Sequence, residues 1–254
     1  MKTDSENKLT RNTGFYERTS KLTRNFVDAR GFWLPNDYTK HGVINEYNAC
    51  REKAVLIDLS SLRKFEILGP DAEELMNYTL TRNVKKLSVG QIVYSAMCYE
   101  NGTMFDDGTL LKLSDHGFRW VCGDEYGGEW LKEQAKKKNY KVHIKNSTDQ
   151  INNLSLQGPK SRKILEKIIF TPPTQPSISE LEWFRFSICR LEELNGIPLI
   201  VSRTGYTGEL GFEIWCHPSD APTVWDKVMQ AGKDEGLIPA AVSYTHLRAH
   251  ETEL

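Results

Sequence analysis

The chain has 254 residues, 39% of them apolar and 26% charged, with a formal net charge of −1. That length buries a sizeable core and stands near the size at which cores divide into domains. The near-balance of charge lacks the basic excess that phosphate-backbone binding demands, so nucleic acid is not an expected partner. The opening stretch MKTDSENKLTRNTGFYERTSK is polar and has no apolar core of signal type, and no later run has the length of a membrane span. The five cysteines, Cys50, Cys98, Cys122, Cys189 and Cys216, are odd in number and include no CxxC pair. Such usage fits buried thiols in a cytoplasmic protein better than a disulfide framework or a metal site.

In chain order, VINEYNACREKA from Val43 to Ala54 predicts a helix leading into the short apolar strand VLIDLS. RKFEILG reads as a strand closed by Gly69-Pro70, and PDAEELMNYTL as a helix with Pro70 at its start and acids in its first turn. IVYSAMCY and TMFDDGTLLKL flank Glu100-Asn101-Gly102, and Asn-Gly is the strongest short-range hairpin signal. FRWVCG predicts a strand, EYGGEWLKEQAKKKN a helix, KVHIKN and INNLSLQG two more strands, and PKSRKILEKII a helix. After the proline-rich loop FTPPTQPS, FRFSICRLEEL and IPLIVSRT are strands around a turn at Asn195-Gly196, and GFEIWC is another. SDAPTVWDKVMQAGKDEG closes as a helix capped by Ser219 and ended by Gly236. The irregular alternation of strands and helices, with hairpins prominent, favours an α+β fold over a doubly wound parallel sheet.

Two segments carry candidate chemistry. In YSAMCYENGTMFDDG, Tyr94 to Gly108, two adjacent carboxylates follow a tight hairpin on one strand. Neighbouring strand residues point to opposite faces, so one of Asp106 and Asp107 can face a cleft while the other meets solvent or backbone N–H groups. Tyr94 on the partner strand is placed to supply an aromatic wall, although a solvated acidic hairpin end has the same sequence. In SRTGYTGELGFEIW, Ser202 to Trp215, Gly205, Gly208 and Gly211 free the backbone to turn sharply or approach a ligand. Tyr206, Glu209, Arg203 and Glu213 stand among them. An aromatic with a strand carboxylate suits a flat heterocycle bearing two N–H donors, while a structural pair of Arg and Glu in a glycine-rich turn reads equally well.

SRTGYTGELGFEI resembles the hallmark segment SRTGYTGEDGFE of the glycine cleavage T-protein (aminomethyltransferase) family, and YSAMCYENGTMFDDG is similar to that family's YSxMCNENGGIIDDL. INNLSLQGPKS resembles its strand-QGP-helix piece, and DLSSL stands in the place of FDVSHM, so the likeness covers nearly all of Phe15 to Ala240. The resemblance implies tetrahydrofolate as cofactor, Asp107 as the catalytic carboxylate, Tyr94, Tyr206 and Arg203 as folate-pocket residues, and Glu213 on the pterin edge. It also places Cys122 where the family carries an asparagine facing the ligand. The implied activity is aminomethyl transfer from a lipoyl carrier protein to tetrahydrofolate with release of ammonia. Relatives that demethylate dimethylglycine, sarcosine or dimethylsulfoniopropionate with tetrahydrofolate, taking a small-molecule donor, give a second expectation, and a non-catalytic folate-binding protein a third.

The same resemblance implies a T-protein-like fold with a discontinuous first subdomain, 1–55 with 146–240, and an inserted ferredoxin-like α+β subdomain, 56–145. The folate is expected between them, because pockets favour such interfaces. The family's C-terminal β-barrel domain is not expected in this sequence. From Ala241, AVSYTHLRAHETEL contains VSYTHLRAHET, identified as one reading frame of a transposase adapter used in sequencing libraries. Residues 241–254, with His246 and His250, are therefore kept out of the fold and the site.

Overall fold

A computed structural model describes residues 9–241, so the adapter-like segment beyond Ala241 lies outside the described residues. Within them the chain forms two compact units, one from 9–61, 151–183 and 187–241, the other from 62–150 with 184–186.

The first unit is built on a seven-stranded sheet in the order Ile169–Phe170, Phe186–Leu191, Pro198–Ser202, Gly211–Cys216, Asn152–Gln157, Val55–Asp58 and Ile238–Pro239. Its fifth strand, Asn152–Gln157, is antiparallel to both neighbours, with Leu154 opposite Ile214 and Asp58, and Leu156 opposite Phe212 and Leu56. Because side chains alternate, Leu56, Leu154, Leu156, Phe212 and Ile214 join one buried cluster with Ile164 and Leu165 of the helix Ser161–Glu166 and Val224, Trp225 and Val228 of the helix Ala221–Gly232. Burying each such side chain contributes about 1.5–3 kcal/mol. The opposite face of the same strands carries Asn153, Ser155, Gln157 and Glu213, and it too is buried. A small sheet of Arg11–Asn12, Phe32–Pro35 and Phe26–Ala29 completes the unit, its hairpin turning through Arg30 and Gly31 at φ 57° and 79°.

The second unit is a five-stranded antiparallel sheet in the order Ile92–Cys98, Met104–Ser114, Gly117–Cys122, Arg63–Leu68 and His143–Asn146. Helices Ala72–Thr79 and Tyr126–Lys138 follow the Arg63–Leu68 and Gly117–Cys122 strands, and Leu75, Met76 and Leu131 pack with Phe65, Ile67, Phe118 and Trp120. Without Ile92–Cys98, the remaining four strands and two helices run β-α-β-β-α-β, the expected ferredoxin-like pattern, and Ile92–Cys98 adds a fifth strand at the edge.

Three local expectations change. The strand Val55–Asp58, expected to open the insertion, pairs with Asn152–Gln157 and Ile238–Pro239, so the chain leaves the first unit after Ser61 and re-enters it at Ile151. The helix expected from Pro70 begins at Ala72, and Asp71 Oδ2 accepts the Lys141 N–H at 2.7 Å instead of capping it. Ser219 does not cap the last helix: its Oγ lies 2.7 Å from His217 Nδ1, and Asp220 holds the cap position.

The helix Tyr126–Lys138 lies against the sheet at Gly128, where a Cβ would stand 2.2 Å from Phe65 Cε1. Gly128→Ala gains up to about 1 kcal/mol of helix propensity, yet the clash costs about 1–3 kcal/mol. Net destabilisation is expected in urea titration. Lys163 and Lys167, at or just after the helix Ser161–Glu166, each lie 2.9 Å from Glu235 and hold its carboxyl down to about 2. This stabilisation is complete above the ordinary carboxylate pKa of about 4.3 and is lost as pH falls from there toward the folded value. The Tm difference between wild type and Glu235→Gln should therefore be largest near pH 6 and shrink as pH falls through about 2.

Candidate functional site

The acidic hairpin behaves as strand alternation dictates. Asp106 lies opposite Met97, which is part of the helix-side core, whereas Asp107 lies opposite Ala96 on the other face. The strand Gly117–Cys122 pairs only as far as Gly108, so Asp106 supplies the missing acceptors: Oδ1 takes the Asp107 N–H at 2.9 Å and Oδ2 the Asp124 N–H at 3.0 Å. Asp107 is half-buried, and Tyr94, diagonal to it across the ladder, donates its Oη–H to Asp107 Oδ2. Tyr94 is half exposed at 50%, so its ring is available to a ligand as well as to Asp107.

Cys122 corrects an expectation. It stands opposite Gly108 on the helix side of the sheet, 2% exposed and packed with the core, and its Sγ donates to Asp124 O at 3.5 Å. Burial, with Asp106 nearby, pushes the thiol well above its usual pKa. The position serves the core under the hairpin and does not share the face that carries Asp107.

The other three expected residues lie in the first unit. Glu213, on the strand Gly211–Cys216, is 8% exposed; Oε1 accepts from Asn153 Nδ2 at 3.1 Å, and Oε2 accepts from Thr204 Oγ1. Tyr206 is half-buried in the loop between the strands Pro198–Ser202 and Gly211–Cys216. Arg203 at the start of that loop donates through Nη1 to Leu181 O at 3.2 Å. Glu209 pairs not with Arg203 but with Arg51 of the helix Gly42–Glu52, at 3.1 Å, and Arg51 also donates to Thr207 O.

Two of the glycines have a use that their sequence did not disclose. Ideal Cβ atoms at Gly205 and Gly211 would lie 2.1 and 1.9 Å from Gln157 Oε1, so the fully buried Gln157 side chain occupies their place. Its Nε2 donates to Ser155 Oγ at 2.9 Å and to Thr204 O at 3.2 Å, and its Oε1 accepts from Thr207 Oγ1 at 3.0 Å. Gly208 is the one that turns sharply, at φ 78°. Gln157, Ser155, Asn153, Ser202 and Thr204, which the sequence did not single out as candidates, bond one another or the candidate Glu213. The signal for the first three was present in INNLSLQG, where Asn153, Ser155 and Gln157 recur with period two around Leu154 and Leu156.

The second unit thus carries a half-buried carboxylate under an aromatic hydroxyl in a ferredoxin-like sheet, and the first unit a buried carboxylate beside a glycine-rich loop. The chain belongs to the GCVT N-terminal domain family, whose model matches residues 15–253. It is 52% identical over 236 residues to the trimethylamine-oxide aldolase of Ruegeria pomeroyi, a match that covers 93% of this chain and 30% of that protein. It is 37% identical over 216 residues to the aminomethyltransferase of Alkaliphilus metalliredigens, covering 84% of this chain and 56% of that one. The chain thus spans less than two thirds of the length of these relatives. The glycine cleavage system aminomethyltransferase T of Bartonella henselae superposes with a TM-score of 0.77 at 24% identity, over 92% of this chain and 60% of that one, which shows the shared mixed α/β fold.

Among the described residues, no His/Cys/Asp/Glu group is arranged to hold a metal and no helix is long and apolar enough to cross a membrane. The packing of Gln157 is directly testable. Gly211→Ala is expected to cost about 1–3 kcal/mol in urea titration, because the buried amide has no space to retreat. In a Gln157→Ala background the same substitution should cost less than about 1 kcal/mol.

Proposed function

We propose that the chain is the tetrahydrofolate-binding part of a one-carbon transferase, with Asp107 as its catalytic carboxylate. The observation that carries this reading is the division of labour at the hairpin. Asp106 spends both oxygens on backbone N–H groups, while Asp107, on the other face, is met by the Tyr94 hydroxyl. Such a carboxylate is fixed in place and remains an electrostatic acceptor for developing positive charge.

The donor set fits tetrahydrofolate. Glu213 is a buried acceptor-only group suited to the N–H edge of a pterin. Tyr206 and Tyr94 would line the ring system, and Arg203 would sit at the mouth of the glycine-rich loop. Tetrahydrofolate, when bound, would supply the nucleophilic nitrogen that accepts the carbon. Asp107 would orient that nitrogen by accepting a hydrogen bond and would stabilise the cationic character of the incoming carbon. Tyr94, by donating to Asp107 Oδ2, would restrict which oxygen meets the reacting atoms.

The donor is proposed first as an aminomethyl group on a lipoyl carrier protein, with ammonia leaving. A second reading, a methylated amine as carbon source, draws support from the 52% identity to the Ruegeria protein, which is named for trimethylamine oxide, against 37% to the Alkaliphilus aminomethyltransferase. The test is tetrahydrofolate-dependent carbon transfer by the full-length protein with five donors in parallel: aminomethyl-lipoyl carrier, dimethylglycine, sarcosine, dimethylsulfoniopropionate and trimethylamine oxide. One donor should turn over, and Asp107→Asn should lower that rate about 10²- to 10³-fold while tetrahydrofolate still binds. Tetrahydrofolate binding with no transfer from any donor would overturn the enzyme reading in favour of a folate-binding module.

A further inference from the structure

Glu213 is buried, and a buried carboxylate is useful to a ligand only if its charge and orientation are held by other groups. We infer that Trp215, Ser202 and Thr204 form a one-way hydrogen-bond relay that positions Glu213 for a ligand presenting paired N–H donors. The inference rests on the folate reading of Glu213 and names the residues that make that carboxylate selective.

The sheet register brings the members together. Ser202 lies directly opposite Glu213 and Ile200 opposite Trp215, so Ser202, Glu213 and Trp215 share one face. Trp215 Nε1 is 3.2 Å from Ser202 Oγ, Ser202 Oγ is 2.8 Å from Thr204 Oγ1, and Thr204 Oγ1 bonds Glu213 Oε2. Their relative exposures are 3% for Trp215, 0% for Ser202, 4% for Thr204 and 8% for Glu213.

Elementary chemistry then sets every proton. An indole N–H only donates and an ionised carboxylate only accepts. Ser202 must therefore accept from Trp215 and turn its own proton toward Thr204. Thr204, having accepted that bond, has its own single proton left for Glu213 Oε2. Reversing the Ser202–Thr204 bond would use the single Thr204 proton and leave the buried Glu213 Oε2 without its donor, at a cost of about 1–3 kcal/mol. In a low-dielectric interior each bond polarises the next, so the relay strengthens the donor that finally meets the carboxylate. Asn153 Nδ2 donates to Oε1 at 3.1 Å, and the carboxylate leaves no choice about which end of that amide faces it. Glu213 is thereby held through both of its oxygens. A flat heterocycle offering two adjacent N–H groups is complementary to it, and an analogue with a ring acceptor at either position is rejected.

The test is calorimetric titration of the chain with tetrahydrofolate under anaerobic conditions, with Tm measured on every variant. Loss of affinity is expected to fall along the relay: about tenfold for Thr204→Val, about fivefold for Ser202→Ala and about two- to threefold for Trp215→Phe. Thr204→Ser, which keeps the hydroxyl, should bind within about twofold of wild type. If these residues only fill space, affinity will track Tm, the large Trp215→Phe change will be the worst, and Thr204→Ser will not rescue; that pattern overturns the relay. Glu213→Gln separates the two levels. Unchanged binding by Glu213→Gln would refute the folate role of Glu213 itself, whereas weakened binding by Glu213→Gln with wild-type affinity in the three relay variants would refute the relay alone.

Discussion

The amide of Gln157 fills the space that Cβ atoms at Gly205 and Gly211 would need, and the rest of the candidate ligand face depends on that fit. Once seated, the amide holds both ends of the glycine-rich segment, through Thr204 O on one side and Thr207 Oγ1 on the other. Arg51 takes hold of the same segment from outside, through Thr207 O and the Glu209 carboxylate. A loop that would be mobile by composition is thus tied at successive residues, with Tyr206 carried between the ties. The stabilisation here is polar and buried, so each lost partner leaves an unsatisfied group and the arrangement tolerates little substitution.

The seven-stranded sheet therefore has two interiors of different character. One face buries leucines, isoleucines and a phenylalanine against two helices. The other buries Asn153, Ser155, Gln157, Ser202 and Glu213, which in an unstructured chain would all be hydrated. Burial of the second set is tolerable because its members bond one another, and such mutual bonding leaves a rigid, directional surface. On the five-stranded sheet the same alternation separates two chemically identical neighbours: Asp106 becomes part of the backbone scaffold, while Asp107 on the other face meets the Tyr94 hydroxyl.

Most of this was legible in the sequence where local rules act. The Asn101-Gly102 hairpin, the helices Gly42–Glu52 and Tyr126–Lys138, and the strands about the two motifs fall where periodicity and turn residues place them. The resemblance carried the rest of the fold, since the family match and the TM-score of 0.77 agree with it. The misses have physical causes. The hairpin through Arg30-Gly31 was invisible because arginine is a rare occupant of positive φ. Strand Val55–Asp58 looked like the start of the insertion because its partners, Asn152–Gln157 and Ile238–Pro239, are distant in sequence. Gln157 was passed over because glycine reads as freedom for the backbone, and only coordinates show which side chain claims the vacated space.

The interrupted course of the first unit bears on how the chain acquires its structure during synthesis. Val55–Asp58 emerges from the ribosome long before either strand that will flank it, and its sequence Val-Leu-Ile-Asp is apolar with both edges unpaired. The five-stranded unit is nearly contiguous from Leu62 to Gln150 and assembles its own core in the interval. Its ladder brings Arg63–Leu68 against His143–Asn146, so the two crossing points of the chain can become neighbours before Asn152–Gln157 is free to pair. The insertion thus shortens the loop that the seven-stranded sheet must close, from a flexible excursion to a folded spacer with adjacent ends. Nascent chains stalled before Gln150 would be the population most exposed to edge-to-edge association through that early strand.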